Sequence, residues 1–132
     1  GGFLLEELST MPVSGLSLPI SGNSHLKAIA EAIIDTPSVH KTLSDWAKFT
    51  GMSRRSLERL VKQETGLSFG RWKQQLLLIM AIQQLTEGAS VEKTAWDLGY
   101  ESVTAFITMF KKAVGTSPGR YVQEKSGGRG FL

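Results

Sequence analysis

Apolar residues recur every three or four positions through the middle of this 132-residue chain, which is the spacing of one face of an α-helix. In residues 25–34, for example, the apolar side chains fall at positions 26, 29, 30, 33 and 34. No window shows the alternation of apolar and polar residues that is typical of a half-buried strand. The pattern therefore predicts an all-α fold.

Capping residues and glycines divide this region into about seven helices. Ser and Thr side chains accept bonds from backbone N–H groups at helix starts, and glycine readily ends a helix. Thr42 with Asp45 indicates a capping box, and Pro118 has the favoured first position of the last helix. After the first helix, the expected starts are Thr42, Ser53, Ser68, Ser90, about residue 102 and Ser117, and the expected ends include Gly51, Gly66, Gly88, Gly99 and Gly115.

Two stretches, about 42–66 and 90–115, repeat a pattern of short helix, glycine turn and second helix. In such a helix-turn-helix, the second helix enters the major groove of DNA. Trp46 and Trp96 have nearly equivalent places in the short helices, and we expect both to pack in the core or between helices. A spacing of 48 residues pairs Leu43 with Val91, Ala47 with Ala95 and Gly51 with Gly99, and a spacing of 49 then pairs Leu57 with Phe106, Val61 with Phe110, Lys62 with Lys111 and Gly66 with Gly115.

A long connector helix is expected between the two repeats, at about residues 68–87. It would be about 30 Å long at 1.5 Å per residue. One turn of B-DNA is roughly 34 Å long. A rigid connector of this length suits two recognition helices that enter successive major grooves on one side of a duplex, without a dimer.

Composition narrows the class of protein. The chain is 41% apolar and 20% charged, which is typical of a globular domain. It contains no cysteine, which excludes disulfides, thiolate zinc sites and cysteine nucleophiles. His25 and His40 lack metal-ligand spacing, and no glycine pattern forms a phosphate-binding loop. We therefore predict no enzyme, no cofactor and no metal site.

Charge and the chain ends add to this picture. The net charge is only +3, but residues 53–62 hold four basic groups and one acidic group, a possible footprint for phosphate. No apolar run could span a bilayer, and no signal peptide is recognised, so a cytoplasmic, nucleoid-associated protein without membrane contact is expected. Residues 1–23 read as a flexible linker and residues 125–132 as a disordered tail. A chain that opens in a linker suggests a missing N-terminal domain.

Residues 95–121, AWDLGYESVTAFITMFKKAVGTSPGRY, resemble the signature of AraC/XylS-type transcription regulators. Residues 43–75 also fit this family. The resemblance implies a C-terminal DNA-binding domain over residues 24–124 that regulates transcription. It also implies three partners: double-stranded promoter or operator DNA, RNA polymerase, and a sensing or dimerising domain. The matching residues are Ala95, Gly99, Tyr100, Ser102, Phe106, Phe110, Lys111, Lys112, Gly115, Ser117, Pro118 and Tyr121.

The first recognition helix has a charged outward side. Arginine can bond guanine at two acceptors, and a carboxylate can accept from cytosine. With the family resemblance, Arg55, Glu58 and Arg59 become the best candidates for reading bases. Glu58 could instead orient Arg55 or Arg59. The residues expected to face the core are Leu57, Leu60 and Val61.

The second recognition helix differs, because two of its outward positions are apolar and β-branched. The outward positions are Val103, Thr104, Ile107, Thr108 and Lys111. Apolar groups can contact thymine methyls, and threonine offers one hydrogen bond but no bidentate fork. We therefore expect unequal half-sites, the second of them A·T-rich. Alternatively, Val103 and Ile107 pack against a neighbouring domain or are only partly exposed. The buried stripe is expected at Phe106, Met109, Phe110 and Ala113.

Phosphate contacts are expected from helix starts and nearby cations. A solvated charged face is the alternative interpretation of the basic helix. A helical protein–protein interaction module without DNA binding is the alternative function, with the first helix docking a partner. The candidates for phosphate contact are Thr42, Ser53, Arg54, Lys62, Ser68, Arg71, Trp72, Ser90, Lys111 and Arg120.

Overall fold

The computed structural model describes residues 22–130, with side chains described through residue 124. The predicted all-α fold is confirmed, since this range contains no strand. Residues 1–21 of the predicted linker and residues 131–132 of the predicted tail lie outside the described residues. The described helices are α1 Ser24–Asp35, α2 Leu43–Thr50, α3 Arg54–Thr65, α4 Phe69–Thr86, α5 Val91–Asp97, α6 Val103–Val114 and α7 Pro118–Gly130.

Bonds between side chains and nearby backbone set the helix starts. Thr42 Oγ1 accepts from the Asp45 N–H at 3.1 Å, and Asp45 Oδ2 accepts from the Thr42 N–H at 2.9 Å, which completes the capping box of α2. Asn23, which the sequence analysis did not single out, caps α1. At the other predicted starts, the backbone N–H three residues on donates, over 3.0–3.3 Å, to the hydroxyl of Ser53, Ser68, Ser90, Ser102 or Ser117.

The two helix-turn-helix units make the same turn. Gly51 ends α2 with a φ of 75°, a left-handed conformation in which a β-carbon would clash with the backbone. The Met52 N–H then donates to the Ala47 carbonyl at 2.9 Å, and the Tyr100 N–H donates to the Ala95 carbonyl at 3.0 Å. These two bonds lie 48 residues apart, so the repeat seen in the sequence is also a repeat of backbone geometry.

The chain forms two compact units, the first ending at Ile79 and the second beginning at Met80. Aromatic rings fill much of the second core. The ring centroids of Tyr100 and Phe106 are 5.3 Å apart, those of Phe106 and Phe110 are 5.9 Å apart, and those of Phe110 and Tyr121 are 5.8 Å apart. The large side chains that are fully buried in the first unit are Leu26, Ile29, Trp46, Leu57, Trp72, Leu76 and Leu78.

Two expectations about burial are wrong. Trp96 is 51% exposed, whereas Trp46 is 2% exposed. The spacing of 48 pairs Trp46 with Thr94, and Trp96 lies two residues farther on, about 200° around the helix. Ala113 is exposed, because its single methyl group lies in the last turn of α6 and is too short to reach the ring cluster. Met109 is only partly buried.

The last helix is longer than predicted. The sequence predicts a disordered tail from residue 125, but the backbone of α7 is helical as far as Gly130. Glycine is unfavourable inside a helix, yet it can adopt helical angles, and each residue added to an existing helix gains one hydrogen bond. The predicted tail is therefore wrong for the backbone of residues 125–130.

Candidate nucleic-acid interface

The second helix of the first helix-turn-helix unit is α3, which buries one side and exposes the other. Leu57 and Val61 are fully buried, and Leu60 is partly buried, so the predicted core-facing side is confirmed. This burial fixes the rotation of the helix, since residues four apart lie on the same face. The side chains on the opposite side are all exposed: Arg54, Arg55, Glu58, Arg59 and Lys62.

The arginines of α3 remain available to a ligand. In the part of the chain that the structure describes, ion pairs form between Lys93 and Asp97 at 2.6 Å and between Arg120 and Glu124 at 3.2 Å, and Arg55, Glu58 and Arg59 form none. Glu58 therefore does not hold Arg55 or Arg59 in place here. Both guanidinium groups keep all of their donors for an acceptor outside the protein.

Two of the phosphate candidates on α3 already have bonds within the protein. Ser53 Oγ accepts from the Ser56 N–H at 3.1 Å and lies 2.9 Å from the Ser56 hydroxyl. Lys62 Nζ donates to the Gly66 carbonyl at 3.1 Å, at the C-terminal end of the helix. The Lys62 ammonium has three donors, so this bond leaves two donors for a phosphate.

The recognition helix of the second unit is α6, and its exposed side is largely neutral. Phe106 and Phe110 are fully buried. Thr104 and Thr108 are exposed, and Lys111 is exposed in the last turn. Val103 and Ile107 are partly exposed, as one of the alternatives from the sequence expected.

The two recognition helices match position for position. A spacing of 49 residues pairs Arg55 with Thr104 and Arg59 with Thr108, and all four side chains are exposed. The same spacing pairs Glu58 with Ile107. Apart from the pair Lys62 and Lys111, these equivalent outward positions are therefore charged in α3 and uncharged in α6.

The remaining phosphate candidates lie mostly at exposed helix starts. Arg71 is exposed in the first turn of α4, and Arg120 is exposed in the first turn of α7, where Glu124 pairs with it. Trp72 is the exception, because its side chain is 2% exposed and its indole N–H is buried. The prediction that Trp72 contacts phosphate is wrong, since the ring packs in the core of the first unit. The candidates that are exposed at helix starts are Thr42, Ser53, Ser68 and Ser90.

Burial and capping change the pKa of three groups. The backbone and side-chain bonds from Thr42 hold the pKa of Asp45 below its ordinary value of 3.8. Partial burial lowers the pKa of Lys73 below 10.5 and raises the pKa of Tyr100 above 10.0. None of these groups belongs to the outward side of α3 or α6.

The described residues offer neither a metal-ligand cluster nor a membrane-spanning helix. No group of three or more His, Cys, Asp or Glu side chains in residues 22–124 could hold a metal ion. Within the described part of the chain, no helix has the length and apolar character needed to cross a membrane.

Comparisons with known proteins agree with this geometry. A family model described as a helix-turn-helix domain matches residues 46–124. The chain is 49% identical over 119 residues to the HTH-type transcriptional regulator NimR of Escherichia coli K12, a match that covers 90% of this chain and 44% of NimR. It is 23% identical over 109 residues to the HTH-type transcriptional regulator RipA of Corynebacterium glutamicum, covering 83% of this chain and 33% of RipA. The chain thus spans less than half the length of these relatives.

Solved structures show the same fold. The C-terminal domain of AraT, a response regulator from Geobacillus stearothermophilus, matches with a TM-score of 0.69 and 28% identity, over 77% of this chain and 86% of that chain. The DNA-binding domain of the global transcriptional factor AdpA, solved with a target DNA, matches with a TM-score of 0.72 and 24% identity, over 82% of this chain and 97% of that chain. With its two helix-turn-helix units and the matching domain model, the chain belongs to the helix-turn-helix family of AraC-type transcription regulators.

Proposed function

We propose that this chain binds double-stranded DNA at specific sequences and thereby regulates transcription. In this proposal α3 and α6 enter successive major grooves. The observation that carries it is the exposed side of α3, whose three arginines form no ion pair with a described residue. The helix between the two helix-turn-helix units, α4, has 18 residues and is about 27 Å long.

The proposal assigns base reading in the first half-site to Arg55, Glu58 and Arg59. Either arginine can form two parallel bonds with guanine O6 and N7, because neither side chain has to leave an ion pair first. Glu58 can accept from cytosine N4. In the second half-site, base reading is assigned to Val103, Thr104, Ile107 and Thr108.

Phosphate contacts are assigned to exposed hydroxyls and cations at the ends of helices. The first residues of a helix present free N–H groups, and the helix dipole there favours an anion. The proposed phosphate contacts are Thr42, Ser53, Arg54, Lys62, Ser68, Arg71, Ser90, Lys111 and Arg120.

We also propose the wider setting. The resemblance to AraC-type regulators favours a full-length protein in which a sensing or dimerising domain and RNA polymerase are further partners. It favours action at the nucleoid of the cytoplasm, without catalytic activity. The relatives NimR and RipA are named as transcriptional regulators, which supports the same role for this chain.

Selection from random duplex DNA, followed by footprinting, tests the central proposal. We expect a selected sequence, and protection that extends beyond one helical turn. Retention on nonspecific DNA should fall steeply with salt, because phosphate contacts release counterions. A helical protein-interaction module would show neither selection nor salt-dependent retention, and protection limited to one turn would contradict the two-groove arrangement.

Two variants separate base contacts from phosphate contacts. Arg59→Ala should relax selection at one base position, at a cost of about 1–3 kcal/mol in discrimination. Lys62→Ala should weaken binding to all sequences alike and reduce the salt slope by about 1. Lys27→Ala is the matched control, since Lys27 is an exposed lysine of α1 with no assigned DNA contact. Unchanged selectivity of Arg59→Ala would remove Arg59 from the site.

A further inference from the structure

The outward side of α6 offers methyl groups where α3 offers charges. Val103 and Ile107 are partly exposed, although the buried side of the helix is already filled by Phe106 and Phe110. Their partners at a spacing of 49 in α3 are Arg54 and Glu58. β-Branched side chains are stiff, so they present methyl groups to a ligand with little loss of rotamer entropy.

The threonines of α6 differ from every other threonine inside a described helix. In the other helices, each threonine hydroxyl donates to a carbonyl of the preceding turn. These bonds are Thr50 to Ala47 at 3.0 Å, Thr65 to Val61 at 2.7 Å, Thr86 to Gln83 at 3.0 Å and Thr94 to Ser90 at 2.8 Å.

Thr104 and Thr108 make no such bond with any described residue. Thr108 is the clearer example, because the carbonyl four residues before it lies in the same helix and could have accepted its hydroxyl. A hydroxyl that does not bond its own backbone can donate to, or accept from, a group outside the protein. Both hydroxyls are therefore available to a ligand.

Charge is missing from the same side of α6. Its first cation on the exposed side is Lys111, in the last turn of the helix. The helix contains no arginine, and its two lysines lie in the last turn. What remains is apolar contact together with single hydrogen bonds.

We propose that α6 recognises the 5-methyl groups of pyrimidines, which in ordinary DNA are those of thymine. Val103 and Ile107 contact the methyl groups, while Thr104 and Thr108 give single bonds to neighbouring base edges. Thymine presents this methyl group in the major groove beside its O4 acceptor. The inference rests on the proposed DNA binding and adds to it a chemical criterion for the second half-site.

Deoxyuridine tests this directly, because it lacks only the 5-methyl group of thymidine. The half-site under α6 is located first. The chain has no cysteine, so Lys112→Cys provides a single attachment point for a DNA-cleaving iron chelate on the exposed side of α6. The selected duplex is then prepared with thymine replaced by uracil in that half-site alone, or in the other half-site alone.

We expect each uracil at a contacted position under α6 to weaken binding by about fourfold, the effect of one buried methyl-sized group. The same replacement in the α3 half-site should change binding little. Replacing a contacted thymine by 5-methylcytosine should retain more affinity than replacing it by cytosine. In Ile107→Ala, the difference in affinity between thymine and uracil duplexes should shrink. Thermal unfolding monitored by circular dichroism verifies that this variant is folded.

Thr108→Val provides a second, nearly isosteric variant that replaces the hydroxyl with a methyl group. It should relax selection at one base while keeping the preference for thymine over uracil. Equal binding of thymine and uracil duplexes by a protein that still selects its sequence would overturn this inference alone. A protein that selects no sequence would overturn both this inference and the proposed function.

Discussion

Trp46 and Thr94 occupy the same position in the two helix-turn-helix units, 48 residues apart, and both side chains are buried. The hydroxyl of Thr94 donates to the Ser90 carbonyl at 2.8 Å, which satisfies the polar group inside the core. Trp96 corresponds instead to Lys48, and both of these side chains are exposed. Two tryptophans in similar sequence contexts therefore have opposite surroundings.

Alanine substitutions at these tryptophans should have unequal effects on stability. Trp46→Ala removes a ring that is 2% exposed and should lower the free energy of unfolding by about 3–5 kcal/mol. Trp96→Ala should change it by no more than about 0.5 kcal/mol, because half of that side chain is already in water. Urea unfolding followed by circular dichroism measures both, and equal losses would contradict the assigned burial.

A pair of glycines should respond in opposite directions to alanine. Gly51→Ala places a β-carbon on a residue with a φ of 75° and should destabilise the first unit by about 1–2 kcal/mol. Gly70→Ala should stabilise the protein by about 0.4–1 kcal/mol, because Gly70 lies inside α4 with open space for a methyl group. Thermal unfolding of the two variants provides the test, and a stabilising Gly51→Ala would refute the left-handed turn.

The contribution of the α2 capping box to the free energy of unfolding should decrease at acidic pH. The pKa of Asp45 is held below 3.8, so its ionised form stabilises the folded state above that value, and this contribution is lost as the pH falls through the folded pKa. Wild type should therefore exceed Asp45→Asn in thermal stability at neutral pH, by a margin that shrinks in acid. A margin independent of pH would argue against this interpretation.

The hydroxyl of the same capping box can be tested separately. Thr42→Ala should cost about 1 kcal/mol, because the Asp45 N–H loses its acceptor. Thr42→Ser keeps the hydroxyl and is the matched control, so it should retain most of the wild-type stability. Equal losses in the two variants would show that the methyl group of Thr42, and not its hydroxyl, stabilises the helix.

Ionisation of Tyr100 should lower the free energy of unfolding at high pH, whereas protonation of Asp45 lowers it at low pH. Burial raises the pKa of Tyr100 above 10.0, so the unfolded chain ionises at lower pH than the folded one. Stability should fall as the pH rises from this ordinary value through the folded pKa. Tyr100→Phe should reduce this loss in urea unfolding at pH values around 10 and above, and an unchanged slope would contradict the shift.

Much of this protein could be predicted from local sequence. The caps at Thr42 and Ser53 and the turn at Gly51 depend on contacts within three to five residues, so the pattern of residues contains nearly all the information needed. The outward side of α3 was also predictable, because burying Leu57 and Val61 leaves only one way to orient the helix.

The tertiary structure decided the properties that depend on neighbouring helices. Trp72 is buried although it follows an exposed arginine at a helix start, and Trp96 is exposed although the short helix around it repeats the pattern of α2. The partial exposure of Val103 and Ile107, and the unbonded hydroxyl of Thr108, likewise needed the folded chain. A side chain's burial depends on which elements pack over it, and periodicity within one helix specifies the direction of a residue but not what covers it.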